Sequence, residues 1–108
     1  MLFISAEDFF DKVSKFKRLS RDQEKELYFR TKEGDKSARE LIIESYLVVV
    51  MARIKRIQKE MHSLDLIYNC IYALEQAVDK HDFSKEYPFV NYLLPIIQQE
   101  IAKHIAKN

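Results

Sequence analysis

Two sets of side chains in this sequence have types and spacing suited to recognition chemistry. Tyr92, Ile96, Gln99 and Lys103 follow one another at i, i+4, i+7 and i+11, so a helix would carry a ring, an apolar shoulder, an amide and a cation along one line. An aromatic ring gives an unstacked nucleobase a platform, and an amide can pair with a base edge. Asp65, Tyr68, Tyr72, Glu75 and Asp79 fall at i, i+3, i+7, i+10 and i+14, which sets two tyrosines among carboxylates. Tyrosine contributes contact area at low entropy cost, so such a pair suits a protein interface. It would serve equally well packed beneath the amino-terminal residues.

Other chemistry lacks its parts. There is no Gly-rich phosphate loop, no Cys or His pairing at metal-ligand spacing, and no Ser or Cys nucleophile with a neighbouring base. No catalytic residue, metal site or cofactor is therefore expected. His62, His81 and His104 fall on separate elements and read as surface or cap histidines, while Cys70 lies on an apolar stripe and reads as core.

The elements that must position these residues follow from the composition. With 108 residues, 47% hydrophobic, the chain can bury one core. One glycine and two prolines leave little material for hairpins, so the expected fold is all-α, a compact bundle of about five helices. Ser5, with Asp8 three residues on, caps a first helix whose apolar face is Phe9, Phe10, Val13 and Phe16. Ser20 and Gln23 repeat that spacing and open a second helix, Arg21 to Glu33, which stops at Gly34.

Asp35 or Ser37 caps a third and longest stretch, with Ala38, Leu41, Ile42, Val48, Val49, Ala52 and Ile57 near helical spacing. No Gly or Pro interrupts it before Met61, and it is apolar nearly all round from Tyr46 to Ala52, which predicts the central, most buried helix. Its last turns carry Arg53, Lys55, Arg56 and Lys59, favourable at a helix carboxyl end. Ser63 caps a fourth helix with the stripe Ile67, Cys70, Ile71, Leu74, Ala77 and Val78. After a turn from His81 to Glu86, Pro88 suits the first turn of a fifth. Its inner stripe is Val90, Leu93, Leu94, Ile97, Ile101 and Ile105, and Pro95 sits within it as a predicted kink.

Charge and sorting signals narrow the setting. The net charge is +1, from 18 basic and 17 acidic residues, so no global field would hold the chain on nucleic acid and any DNA contact must be local. The single Cys70, the absence of a signal-peptide pattern and an apolar run far shorter than the roughly 20 residues of a membrane span predict a reducing cytoplasm and no membrane association.

From Leu19 onward, about four fifths of the chain resembles the sigma-70 family of RNA polymerase sigma factors, regions 1.2 to 2. The resemblance rests on ordered motifs: Leu19-Ser20-Arg21-Asp22-Gln23-Glu24, then Glu33-Gly34-Asp35-Lys36-Ser37-Ala38-Arg39, then Leu41-Ile42-Ile43-Glu44-Ser45-Tyr46-Leu47-Val48-Val49-Val50. Asp65-Leu66-Ile67 and Ala77-Val78-Asp79-Lys80-His81-Asp82 are similar to the family's polymerase-docking helix, and Tyr87, Phe89 and Tyr92 sit where it places its promoter aromatics. Leu94-Pro95-Ile96-Ile97 and Glu100-Ile101 look like the tail of the sporulation and general-stress members, which also explains a proline inside a helix.

The resemblance implies a region-2-like bundle, with residues 1–18 an added amino-terminal helix and residues 19–108 the region 1.2 and region 2 part of one structural domain. It implies a non-enzymatic transcription initiation factor whose partners are core RNA polymerase, through the β′ clamp helices, and minus-ten promoter DNA. The docking residues it implies are Asp65, Leu66, Tyr68, Asn69, Tyr72 and Gln76. The DNA-binding residues it implies are Tyr87, Phe89, Asn91, Tyr92, Gln98, Gln99 and Lys103. The family's helix-turn-helix for the minus-thirty-five element is not in these 108 residues, so the resemblance implies either an excised domain or a stand-alone region-2 protein that needs a second sigma subunit as partner; an anti-sigma factor is a further expected partner. Glu86 and Pro88 stand where the family has Gly and Lys, which lowers local positive charge. The alternative is therefore a sigma-like module that docks on polymerase or an anti-sigma factor and has lost DNA reading.

Overall fold

The computed structural model describes residues 2–107. Five α-helices follow in order: α1 Ala6–Val13, α2 Arg21–Lys32, α3 Lys36–Ile54, α4 Leu64–Lys80 and α5 Phe89–Lys107, with one 3-10 turn at Lys59–Met61. No strand occurs among the described residues. The expected all-α, five-helix class is what the chain adopts, and among the described residues no helix is long and apolar enough to cross a membrane.

Local chemistry sets most of the boundaries. Ser20 Oγ accepts from the Gln23 amide at 3.1 Å and Gln23 Oε1 accepts from the Ser20 amide at 2.9 Å, a reciprocal capping box that starts α2. At its other end Gly34 has φ +97, and the Asp35 amide reaches the Arg30 carbonyl at 3.0 Å while the Gly34 amide reaches Thr31 at 2.9 Å, a Schellman closure. Asp35 then caps α3 by accepting from the Ser37 and Ala38 amides. Ser5 caps α1 by accepting from the Asp8 amide at 3.0 Å. Asp8 does not reach back to Ser5. Its carboxylate accepts from the Ile4 amide at 3.0 Å, one residue earlier.

Helix α3 is central. It packs against α1, α2, α4 and α5, and Ile42, Ile43, Leu47, Val50 and Ile54 on it are no more than 2% exposed. Three expectations need correction. The helix ends at Ile54, and the Arg56 and Ile57 amides close onto Arg53 and Ile54 three residues back, so Arg56 and Lys59 lie beyond its last turn. Leu41 and Ile105, expected on inner stripes, are each 46% exposed. Phe16 lies past the end of α1, where it packs partly buried against the core.

Helices α4 and α5 form another extensive pairing. Leu66, Ile67, Cys70, Leu74, Ala77 and Val78 of α4 meet Leu93, Ile97 and Ile101 of α5 in one core cluster. Helix α5 runs unbroken through Pro95. Burial pushes the Cys70 thiol up to about 12, in keeping with its reading as a core residue.

Candidate functional site

Helix α4 turns one line of side chains outward. Asp65, Asn69, Tyr72 and Gln76 are all exposed at i, i+4, i+7 and i+11, and the Gln76 amide donates to the Tyr72 hydroxyl at 3.1 Å. Tyr72 is 63% exposed, an aromatic ring left in water among polar neighbours. Leu66 does not belong to this surface. One residue's rotation from Asp65 carries Leu66, expected among the docking residues, to the inner side, where it is fully buried in the core.

Tyr68 divides from Tyr72. Its hydroxyl accepts from the Phe3 amide at 2.7 Å and donates to the Phe3 carbonyl at 3.0 Å, and its ring packs partly buried against the core. Of the two possibilities for the pair, Tyr68 takes the packed one and Tyr72 the exposed one. Near the start of α4, Asp65, Tyr68 and Asn69 share a recess of about 320 Å3 with His104 and Lys107 of α5. Farther along, Asp79 is held below the usual carboxylate range by the hydrogen-bonded Arg39 guanidinium, at 2.7 and 3.0 Å.

The start of α5 carries the second surface. Tyr87, Asn91, Tyr92, Gln98, Gln99 and Lys103 are exposed. Helical spacing sorts them into two adjoining lines, Asn91 with Gln98 and Tyr92 with Gln99 and Lys103. Lys103 pairs with Glu100 at 3.2 Å, which offsets part of the one cation on that line.

Phe89, expected to meet DNA, is 2% exposed. As the first residue of α5 it turns inward, and its ring lies 4.7 Å from Tyr46, 5.0 Å from Phe83 and 5.0 Å from His81. It supports the surface from beneath and does not itself form it. The His81 ring stacks on Tyr92 at 5.9 Å with 21° between planes, and burial among these rings holds its pKa below the ordinary histidine value. The loop ahead of α5 is tied down by buried Phe83, by Arg21 donating to the Lys85 carbonyl at 2.9 Å, and by Lys25 beside Glu86 at 3.7 Å. Under Phe89, Tyr46 donates to the buried Glu24 carboxylate, and Arg18 lies 4.3 Å over the Tyr46 ring. Periodicity had no means of finding His81 and Phe83, because both fall outside the helices whose spacing it reads.

The five-helix, all-α bundle is consistent with the region-2-like fold that the resemblance implies. No protein-family model matches the chain. Among curated proteins it is similar to the RNA polymerase sigma factor SigA of Clostridium acetobutylicum, with 38% identity over 95 residues, 87% of this chain. The chain spans about a quarter of that relative, 25% of its length. The matched stretch is a sigma-70 family sequence.

Proposed function

We propose that this chain is the part of a sigma-type transcription initiation factor that docks on core RNA polymerase through α4 and contacts the minus-ten promoter strand through α5, without catalysis and in the cytoplasm. The observation that carries the reading is the 38% identity to a sigma factor across 87% of the chain. The exposed Asp65, Asn69, Tyr72 and Gln76 stripe supports the docking half, because an exposed ring among polar groups is the usual make-up of a hot spot. The outward Tyr92, Gln99 and Lys103 line supports the promoter half, since a ring is needed to offset the stacking lost by a flipped base.

The test is co-purification with core polymerase, followed by binding of that complex to forked DNA with consensus or scrambled minus-ten strands at one salt concentration. Tyr92→Ala should weaken consensus binding by roughly 1 to 3 kcal/mol. Lys103→Ala should lower affinity with little change in sequence preference, as phosphate contacts do. Equal affinity for the two strands in the parent complex refutes the promoter half.

A second reading, a docking module that no longer reads DNA, has its own support. Phe89 is withdrawn into the core, Lys103 is paired with Glu100, and the net charge is +1. It requires polymerase binding with no strand preference, which the same assay registers.

A further inference from the structure

His81 caps the carboxyl end of α4, and its imidazole meets three rings of the segment that follows. Phe83 lies edge-on at 4.7 Å, Phe89 tilted at 5.0 Å, and Tyr92 nearly parallel at 5.9 Å. Phe83 and Phe89 are buried, whereas Tyr92 is 36% exposed. The imidazole therefore joins a buried pair of rings to the one ring of the group that reaches water. Among the described residues Tyr92 has two ring contacts, this imidazole and Phe89 at 6.1 Å. A base gains most from a ring that is already held still, because ordering a loose side chain on binding costs entropy. An imidazole in offset stacking supplies that restraint, and a ring stacked on one side offers a base its other side.

The imidazole is also titratable, and its surroundings favour the neutral form. Burial lowers its pKa from the ordinary value of 6.5, and the Arg21 guanidinium of α2 acts in the same sense. The Tyr87 backbone carbonyl and the carboxylates of Asp82 and Glu24 act the other way without reversing it. Glu24 is itself engaged by the Tyr46 hydroxyl. A proton added to His81 thus places a charge among three rings at a net cost in hydration, which favours turning the imidazolium out toward water.

We infer that His81 is a positioning residue of the promoter face: neutral, it backs Tyr92 and presents the open side of that ring to an unstacked base, and protonated, it releases the ring, so strand capture weakens in acid. The inference rests on the promoter role proposed for α5 and goes beyond it by making that role depend on a residue of α4 that does not itself touch DNA.

Two measurements test it. In the free chain, NMR follows the ring protons of His81 and Tyr92 from about pH 5 to 8, the range in which histidines titrate. Both should move with one midpoint below 6.5, and Tyr92 shifts that ignore the His81 midpoint overturn the coupling of the two rings, whatever the chain binds. The second measurement is binding of the polymerase complex to forked DNA carrying the consensus minus-ten strand over the same range, for the parent, Tyr92→Ala, His81→Ala and His81→Phe. Parent affinity should fall as pH drops through the midpoint. At neutral pH His81→Ala should bind roughly three- to tenfold more weakly than the parent, the worth of ordering one side chain. His81→Phe keeps a stacking ring that takes no proton, so it should restore binding and flatten the pH profile. His62, bonded to the Ile57 carbonyl, and His104, bonded to the Ser63 hydroxyl, are both still present in that variant, so a parental profile in His81→Phe overturns the assignment. A weakened Tyr92→Ala beside a His81→Ala equal to the parent overturns the backing and leaves the promoter face standing. A parent complex that binds consensus and scrambled strands equally overturns the promoter role and this inference with it.

Discussion

Replacing Tyr46 with Phe tests how the core supports the α5 surface. Tyr46 is 3% and Glu24 5% exposed, and the phenol donates to the Glu24 carboxylate. Burial and that carboxylate together hold the Tyr46 hydroxyl protonated far above its usual range, so it is a permanent donor. Tyr46→Phe keeps the ring, its edge contact with Phe89 at 4.7 Å and the overlying Arg18, and deletes only the hydroxyl. What remains is a buried carboxylate without its donor. A hydrogen bond to a charged group contributes about 1.5 to 3 kcal/mol net, and the acceptor left behind keeps its desolvation cost.

The expected loss is therefore about 2 kcal/mol in urea unfolding followed by circular dichroism. In a domain of this size that lowers Tm by on the order of 8 °C. Tyr46→Phe combined with Glu24→Leu should recover part of the loss, since replacing both partners by apolar groups removes the stranded charge. A single variant within about 0.5 kcal/mol of the parent, the range of neutral surface changes, would refute the reasoning and mean that Arg18 swings from the Tyr46 ring to take the carboxylate.

Three further expectations follow from other features. Asp35 is held at about 2 by its bonds to Ser37, Arg30 and Ala38. Its stabilising effect is thus fully present above the ordinary aspartate value of 3.8 and is lost as pH falls from there through about 2; Asp35→Asn should flatten that part of the stability-versus-pH curve, and an unchanged slope counts against the assignment. Gly34→Ala should cost about 1 kcal/mol from the left-handed backbone alone, because an added Cβ meets nothing within 4 Å; urea midpoints check it, and a loss well above this would mean that α3 also shifts. Cys70, with its thiol pushed up to about 12, should stay silent to a thiol reagent at pH 8 in the native state and react fully in urea; prompt native reaction would show the α4 to α5 packing to be open.

What the sequence revealed was what is decided locally. Ser20 with Gln23, Gly34 and Asp35 act within a few residues of themselves, so the start of α2, its stop and the start of α3 were all readable from the chain. The heptad-like stripe of α4 likewise identified Cys70, Leu74 and Val78 as core. Position relative to distant segments was not readable in this way. Nothing in the spacing of Tyr68 and Tyr72 tells that one will find Phe3, 65 residues away, and the other water. Phe89 is another such case: motif order placed it on the DNA surface, whereas the inward start of α5 gave it to Tyr46, Phe83 and His81. The premature end of α3 belongs here too, because it is made by tightened turns at Arg56 and Ile57 without any Gly or Pro to announce it.

The central place of α3 has a kinetic side. Every other helix rests on it, whereas the short α1 packs mainly on α3 alone. Opening events should therefore be hierarchical: α1 can lift away at little cost, but no single departure frees α3. Its amides between Ile42 and Ile54 would exchange with solvent only when the whole molecule unfolds, and their protection reports the global stability, while α1 amides exchange through a smaller, local opening.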